Sequence, residues 1–170
     1  MPWKNGRGET VEIAVFPPGA TVDTFDWRIS MATVSEDGPF SVFPGIDRTL
    51  SILEGQGMEL LLEGRAPVLL TQNSAPHPFP ADAATNATLV DGTITDLNVM
   101  TRRGRFSHSV ETIKAPAKME ANTGLALVLC HHGEIRVGNE TLAALDCLIL
   151  EADETVDISG IGEGFAIRLR

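Results

Sequence analysis

Tyrosine is absent from this sequence, and basic residues and cysteine are scarce. The 170 residues include no Tyr and carry 13 Lys and Arg against 23 Asp and Glu, for a formal net charge of -10. The lack of tyrosine excludes the commonest phenolic acid or base. The negative charge repels phosphate backbones and anionic membrane surfaces, so we expect neither nucleic acid nor a membrane as a partner. Cys130 and Cys147 lie in apolar runs without a CxxC motif, which favours buried free thiols over a disulfide or a zinc site.

Long hydrophobic runs are also missing. No apolar stretch approaches the ~20 residues that a membrane span needs, and the start lacks the basic and apolar regions of a signal peptide. With 43% hydrophobic residues, the chain is long enough for one sizeable core or two small fused cores. We therefore expect a globular cytoplasmic protein.

Short apolar or alternating segments occur along most of the chain, separated by Gly, Pro, Asn and Asp. They include DWRISMATV, RTLSILEG, GMELLLEG, ITDLNVM, LALVLCHHG, CLILEA and GFAIRLR. This spacing predicts an all-β sandwich or barrel. Only ETLAALD has the composition of a helical turn, and a loop is an equally good interpretation of it.

Two segments share one plan. LSILEGQGMELLLEG (50–64) and LALVLCHHGEIRVG (125–138) each contain an apolar strand, a glycine turn and a short amphipathic strand. Aligned on Gly57 and Gly133, they lie further apart than the ~20–50 residues of solenoid repeats. The plan is that of a cupin hairpin and predicts a cupin-like fold of two fused small β-barrels, a bicupin, with modules at 1–104 and 105–170. A single continuous β-sandwich is the alternative.

Polar residues alternate with apolar ones on three predicted strands. In DWRISMA, Arg28 and Ser30 share a face opposite Trp27, Ile29 and Met31. In TDLNVM, a second polar face carries Asp96 and Asn98, and Arg48 leads the strand RTLSIL. Directed into one barrel mouth, the Arg, Ser and Asn side chains would suit a small carboxylate. The alternative is an outer face on which Arg28 pairs with Asp26 or Asp96.

Metal and nucleophile motifs are weak. The four histidines are His77, His108, His131 and His132, and they form no His-x-His pair. We expect adjacent His131 and His132 to point to opposite faces of a strand, which argues against a shared metal. No G-x-S-x-G motif occurs, so we predict no metal, no cofactor and no catalytic nucleophile.

Three blocks of the sequence resemble one known family. PWKNGRGET, then FDWRISMATVSEDGPFSVFPGIDRTLSILEGQG, then LVDGTITDLNVMTRRG are similar to the signature blocks of the HutD/Ves family. The resemblance covers roughly residues 2–104 and implies a cupin-type fold encoded alongside histidine-utilisation enzymes in bacteria. Family members usually have three consecutive glycines where Arg7 separates Gly6 and Gly8. They also carry a segment before PWKNG, so we expect that the chain begins late.

The resemblance implies a site for a small carboxylate metabolite of histidine breakdown, of the urocanate or formylated glutamate type. Trp3 would form an apolar wall, or alternatively plug the barrel end. The ligand-binding residues implied within the matched blocks are Trp3, Lys4, Asn5, Arg28, Ser30, Ser41, Arg48, Asn98 and Arg102.

Three functional hypotheses follow. The first is a non-catalytic binding or regulatory protein of histidine catabolism that recognises such a carboxylate. The second is an isomerase or hydrolase in which Arg28 and Arg48 clamp a carboxylate substrate while Lys4 or a histidine carries the proton. The third is a protein that acts only through protein partners or as a homodimer.

Overall fold

The computed structural model describes residues 1–3, 8–121, 124–151 and 153–170, and their regular structure consists of strands. These residues group into two compact units, Met1–Phe106 and Ser107–Arg170. That residues 1–104 and 105–170 form two separate domains stays a prediction. Within the described ranges no helix is long and apolar enough to cross a membrane.

The first unit is an antiparallel barrel made of two sheets. One sheet has the order β1-β2-β9-β4-β7 and the other has the order β3-β8-β5-β6. The strands are β1 (Gly8–Phe16), β2 (Trp27–Val34), β3 (Gly38–Pro39), β4 (Ile46–Glu54), β5 (Met58–Leu62), β6 (Val68–Leu70), β7 (His77–Pro80), β8 (Thr85–Leu89) and β9 (Ile94–Arg102).

The second unit is a smaller barrel with the sheet orders β10-β17-β12-β15 and β11-β16-β13-β14. Its strands are β10 (His108–Lys114), β11 (Ala117–Glu120), β12 (Leu125–His132), β13 (Ile135–Val137), β14 (Glu140–Leu142), β15 (Cys147–Leu150), β16 (Thr155–Gly160) and β17 (Glu163–Leu169).

The two barrels repeat one strand plan. The order β2-β9-β4-β7 in the first unit corresponds to β10-β17-β12-β15 in the second, and β3-β8-β5-β6 corresponds to β11-β16-β13-β14. The two echoing segments of the sequence are the equivalent pairs β4–β5 and β12–β13. Gly57 and Gly133, on which they align, both have positive φ, which favours glycine at each turn. The all-β fold of two small fused barrels is confirmed.

Apolar side chains fill the space between the two sheets of each unit. In the first unit, the core is Val34, Leu50, Ile52, Met58, Leu60, Leu62, Leu70, Phe79, Ala87 and Ile94. In the second, it includes Met119, Ala126, Val128, Cys130, Ile135, Val137, Leu142, Ile158 and Ala166. Alternation puts every second strand residue on these inner faces. The first barrel differs because polar residues also occupy inner positions.

The structure resolves two local expectations, the conformation of ETLAALD and the state of the cysteines. ETLAALD contributes the short strand β14 and a turn, so it contains no helix. Both cysteines are free; Cys130 is buried, whereas Cys147 is only half-buried. Burial raises the pKa of both thiols, that of Cys147 to about 11.

Candidate functional site

Strand register brings polar side chains together on the inner face of the first barrel. Ser30 on β2 lies opposite Asn98 on β9, and Arg28 lies opposite Met100. On the other side of β9, Arg48 of β4 is also opposite Met100. Along each strand, these residues lie an even number of positions from the residues of the apolar core. Since side chains alternate between the two faces of a strand, they project into the barrel as the core residues do.

We refer to Arg28, Ser30, Arg48, Asp96 and Asn98 as the polar cluster. Every member is buried, and Asp96 is completely inaccessible to solvent. Apolar groups flank the cluster along the strands. At one end lies the main barrel core, and at the other end lies a second group formed by Phe25, Ile46, Ala81 and Met100. The cluster therefore lies in surroundings where each unpaired charge is costly.

The Arg48 guanidinium has aromatic and amide neighbours. Its Nε and Nη2 donate to Asn98 Oδ1 at 2.8 and 2.5 Å. Its carbon lies 4.6 Å from the Phe40 ring centroid and 5.5 Å from that of Phe79, both within the range of cation–π contacts. Burial lowers the pKa of Arg48 to about 10; nearby Asp96 opposes this shift, and Arg28 adds to it.

Asp96 is a buried carboxyl group whose two oxygens differ. Oδ1 accepts a hydrogen bond from Asn98 Nδ2 at 2.6 Å, whereas Oδ2 has no hydrogen-bond partner in the described chain. Burial raises the pKa of Asp96 to about 6, against the attraction of Arg48 and the hydrogen bonds from Asn98 and the Ala32 backbone. Asp96 is thus mostly ionised at neutral pH and takes up a proton as the pH falls through about 6.

Arg28 pairs with a residue that sequence analysis did not consider. Its Nε donates to Glu12 Oε2 on β1 at 2.8 Å. A register shift between Glu12 and Ala14 interrupts the alternation of β1. Both partners suggested by the sequence, Asp26 and Asp96, are therefore replaced by Glu12.

The start of the chain lies against the first barrel. Trp3 is half-buried and packs against the main core. Its Nε1 donates to Thr10 Oγ1 at 2.8 Å, and its backbone N–H donates to the Gly8 carbonyl. Lys4 and Asn5 lie outside the described residues. The structure thus gives Trp3 an apolar packing role that fits either a wall or a plug.

The two remaining predicted residues lie outside the polar cluster. Ser41 is exposed between β3 and β4, next to Phe40 along the chain. Arg102 Nη2 donates to the Phe25 carbonyl at 2.6 Å, and its Nε lies 3.3 Å from Asp26 Oδ1. Of the nine residues predicted from the sequence, the structure brings Arg28, Ser30, Arg48 and Asn98 together.

Four further residues complete the surroundings of the predicted group: Glu12, Phe40, Phe79 and Asp96. Only Asp96 had a usable signal, because it shares a strand face with Asn98. The other three come from strands and a loop that are distant in sequence, so only the folded chain brings them to the arginines.

The expected directions of the adjacent histidines were wrong. A register shift between Cys130 and His132 interrupts the alternation of β12. The rings of His131 and His132 therefore stack, with centroids 3.7 Å apart. Across the described part of the chain, no group of three His, Cys, Asp or Glu residues has the arrangement of a metal site.

The second unit has a cleft of about 540 Å³ that sequence analysis missed. Its lining residues are Ser109, Glu111, Lys118, Glu120, Arg168 and Arg170. Arg168 Nη1 donates to Glu111 Oε2 at 2.8 Å, and its Nε donates to the Glu120 carbonyl at 3.3 Å. Charges of both signs line this cleft, and Arg168 already pairs with the carboxylate of Glu111.

Comparison with known proteins decides the family. The family model described as HutD matches residues 1–167. The chain belongs to the HutD family. The resemblance seen in the first part of the sequence therefore extends over both barrels.

Curated relatives support this membership. Protein Ves from Citrobacter koseri is 39% identical over 144 residues, covering 84% of this chain and 73% of that protein. A Pseudomonas putida protein is 32% identical over 159 residues, covering 91% of this chain and 83% of its own length. It is described as an uncharacterised 21.2 kDa protein in the hutC 3′ region. The HutD family is thus associated with a histidine-utilisation locus.

Solved structures show the same fold. HutD from Pseudomonas fluorescens SBW25, described for a formate condition, has a TM-score of 0.88 and 28% identity. The match covers 100% of this chain and 93% of that one. A cupin 2 conserved barrel domain protein from Leptotrichia buccalis has a TM-score of 0.63 at 12% identity and covers 100% and 92% of the two chains. The latter likeness concerns the fold alone and confirms its cupin type.

Proposed function

We propose that the first barrel binds a small carboxylate at the polar cluster, with Arg28 and Arg48 as its cationic partners. The protein then acts in histidine catabolism as a non-catalytic sensing or regulatory protein. Urocanate and formylated glutamate intermediates are the ligand types that fit both this chemistry and the family's locus. No turnover is required for this role.

The hydrogen bonding of Arg48 to a neutral amide carries the proposal. Buried guanidinium groups are normally paired with carboxylates, because an uncompensated charge in apolar surroundings is strongly unfavourable. Arg48 instead directs Nε and Nη2 to a neutral amide, and its nearby carboxyl group, Asp96, has a raised pKa. A bound carboxylate would place a negative charge directly against the guanidinium and accept hydrogen bonds from its edge.

A thermal-shift titration tests the proposal. The probes are formate, urocanate, N-formylglutamate, glutamate and chloride, each raised to millimolar concentration at constant ionic strength. Formate is included because it is the smallest carboxylate and because a related structure is described for a formate condition. A ligand at ~100 times its dissociation constant adds about 2.7 kcal/mol of stability, which shifts the midpoint by several degrees.

Arginine variants identify the site of binding. Arg28→Gln and Arg48→Gln should abolish the shift, since each removes a guanidinium from the polar cluster. Arg103→Gln is the matched control, because Arg103 is a surface arginine of the same unit that pairs with Asp47 and Asp82. The proposal fails if no carboxylate gives a shift beyond that of chloride, or if both cluster variants retain it.

An enzyme acting on the same carboxylate is the alternative function. One observation favours it: Asp96 has a pKa of about 6, so it could exchange a proton near neutral pH. Incubating each ligand found above with the protein and analysing the mixture by NMR distinguishes the two functions. A product whose formation is lost in Asp96→Asn would establish the enzyme, and an unchanged ligand would support the sensing role.

A further inference from the structure

The unpartnered oxygen of Asp96 lies inside the proposed site. Asp96 is opposite Ala32 on β2 and Ile52 on β4, so the cross-strand side chains at its level have no hydrogen-bond donors. Its Oδ1 is occupied by Asn98, while Oδ2 is buried and without a partner among the described residues. Buried carboxylate oxygens are almost always hydrogen-bonded, and leaving one unpaired costs free energy.

Asn98 links this oxygen to the cationic part of the cluster. Its amide oxygen accepts from Arg48, and its amide nitrogen donates to Asp96. The guanidinium and the carboxyl group therefore lie at the two ends of one amide. A compact ligand that reached both groups would present a carboxylate to the guanidinium and a second polar group to Asp96.

We infer that the ligand has a hydrogen-bond donor, N–H or O–H, a few bonds from its carboxylate, and that Asp96 Oδ2 accepts its hydrogen bond. This inference rests on the carboxylate function proposed above and narrows its substrate class. Arg28 and Arg48 hold the carboxylate end, and Asp96 selects the other end. Simple alkyl carboxylates and ethers of the same size are then poor ligands.

The selectivity follows from the cost of an unpaired buried acceptor. A ligand with a methyl group or an ether oxygen at this position leaves Oδ2 unsatisfied or places a second lone pair against it. Sites built to bind a polar group reject analogues that lack it much more strongly than apolar pockets reject a change of size. We expect the donor ligand of a matched pair to bind at least ~10-fold more tightly.

Two matched pairs of probes test this inference by calorimetry at neutral pH. Glycolate and propionate differ by O–H against CH₃, and pyrrole-2-carboxylate and furan-2-carboxylate differ by ring N–H against ring O. In the wild-type protein, glycolate and pyrrole-2-carboxylate should be the tighter ligands. In Asp96→Asn, the preference should fall or reverse, because the amide can offer its own N–H to the furan oxygen. Asp91→Asn, at an exposed carboxylate between β8 and β9, should retain the wild-type preference.

The outcomes separate the inference from the proposed function. If carboxylates bind in an Arg48-dependent way but neither pair shows a preference for the donor, the site stands and the role of Asp96 is refuted. If none of these probes binds and none of the carboxylates in the thermal-shift titration binds either, the carboxylate function itself fails, and this inference fails with it. The comparison in the wild-type protein holds even if Asp96→Asn does not fold.

Discussion

Asp96→Asn should change the way in which the stability of the first barrel depends on pH. The pKa of Asp96 is raised from an ordinary value of 3.8 to about 6 by burial. The folded protein therefore binds this proton more tightly than the unfolded chain does. The stabilisation that this proton contributes is fully present below the pKa of Asp96 in the unfolded chain. It is lost as the pH rises through the pKa of Asp96 in the folded protein.

The size of the effect follows from the difference between the two pKa values. A gap of roughly two units corresponds to roughly 3 kcal/mol. About 2 kcal/mol of this loss of stability occurs between about pH 4.5 and about pH 7.5, the interval over which the wild type and Asp96→Asn are compared. Asparagine has no proton to lose. The stability of the variant relative to the wild type should therefore increase by about 2 kcal/mol over this interval, whatever its value at the acidic end.

Urea denaturation followed by tryptophan fluorescence measures this difference. Both tryptophans, Trp3 and Trp27, belong to the first unit, so their emission reports on the barrel that contains Asp96. Asp91→Asn at an exposed site controls for the loss of one negative charge. A difference that stays constant with pH, or that moves in favour of the wild type as the pH rises, would refute the argument.

Three further predictions concern packing and reactivity. Met58→Ala removes most of a fully buried side chain and should lower the free energy of unfolding by about 2–5 kcal/mol. Leu61→Ala, on the exposed face of the same strand, should lower it by less than about 1 kcal/mol, and equal losses in urea denaturation would contradict this prediction. Gly57→Ala should lower the melting temperature more than Gly64→Ala, because a Cβ at 57 would lie 2.2 Å from a backbone oxygen while one at 64 meets nothing within 4 Å. The Cys147 thiol, whose pKa is raised to about 11, should react with a disulfide reagent near pH 8 more slowly than an unstructured cysteine peptide, and similar rates would contradict its burial.

The barrel fold and four of the five members of the polar cluster could be predicted, chiefly because both depend on local alternation. The side chains of a strand point to opposite faces with a period of two. Arg28 and Ser30 could therefore be assigned to one face of β2, and Asn98 to one face of β9, before the strand order was known. The repeated hairpins gave the two-barrel architecture in the same way.

Bulges explain two of the errors. A bulge adds one residue to a strand and shifts the alternation beyond it. The shift after Glu12 accompanies its pairing with Arg28, and the shift near His132 allows the two histidine rings to stack. No glycine lies beside the first bulge to mark it, and the glycine beside the second, Gly133, is explained equally well by the turn that follows His132.

The environment of Arg48 could not be predicted for a different reason. Phe40 comes from the loop after β3, and Phe79 comes from β7. Their approach depends on sheet closure, which is a property of the whole barrel. The charge state of Asp96 likewise depends on how completely the fold removes water from it.

Because the two barrels share one strand plan, the polar cluster of the first barrel can be compared with the same position in the second barrel. In the first unit Ile52 lies opposite Asp96 just before the bulge of β4, and in the second unit Cys130 lies opposite Gly164 just before the bulge of β12. The first barrel thus has a carboxylate where the second barrel has a glycine without a side chain. The second barrel has the same strand order around an apolar core, so this strand plan does not by itself require buried charges at that position.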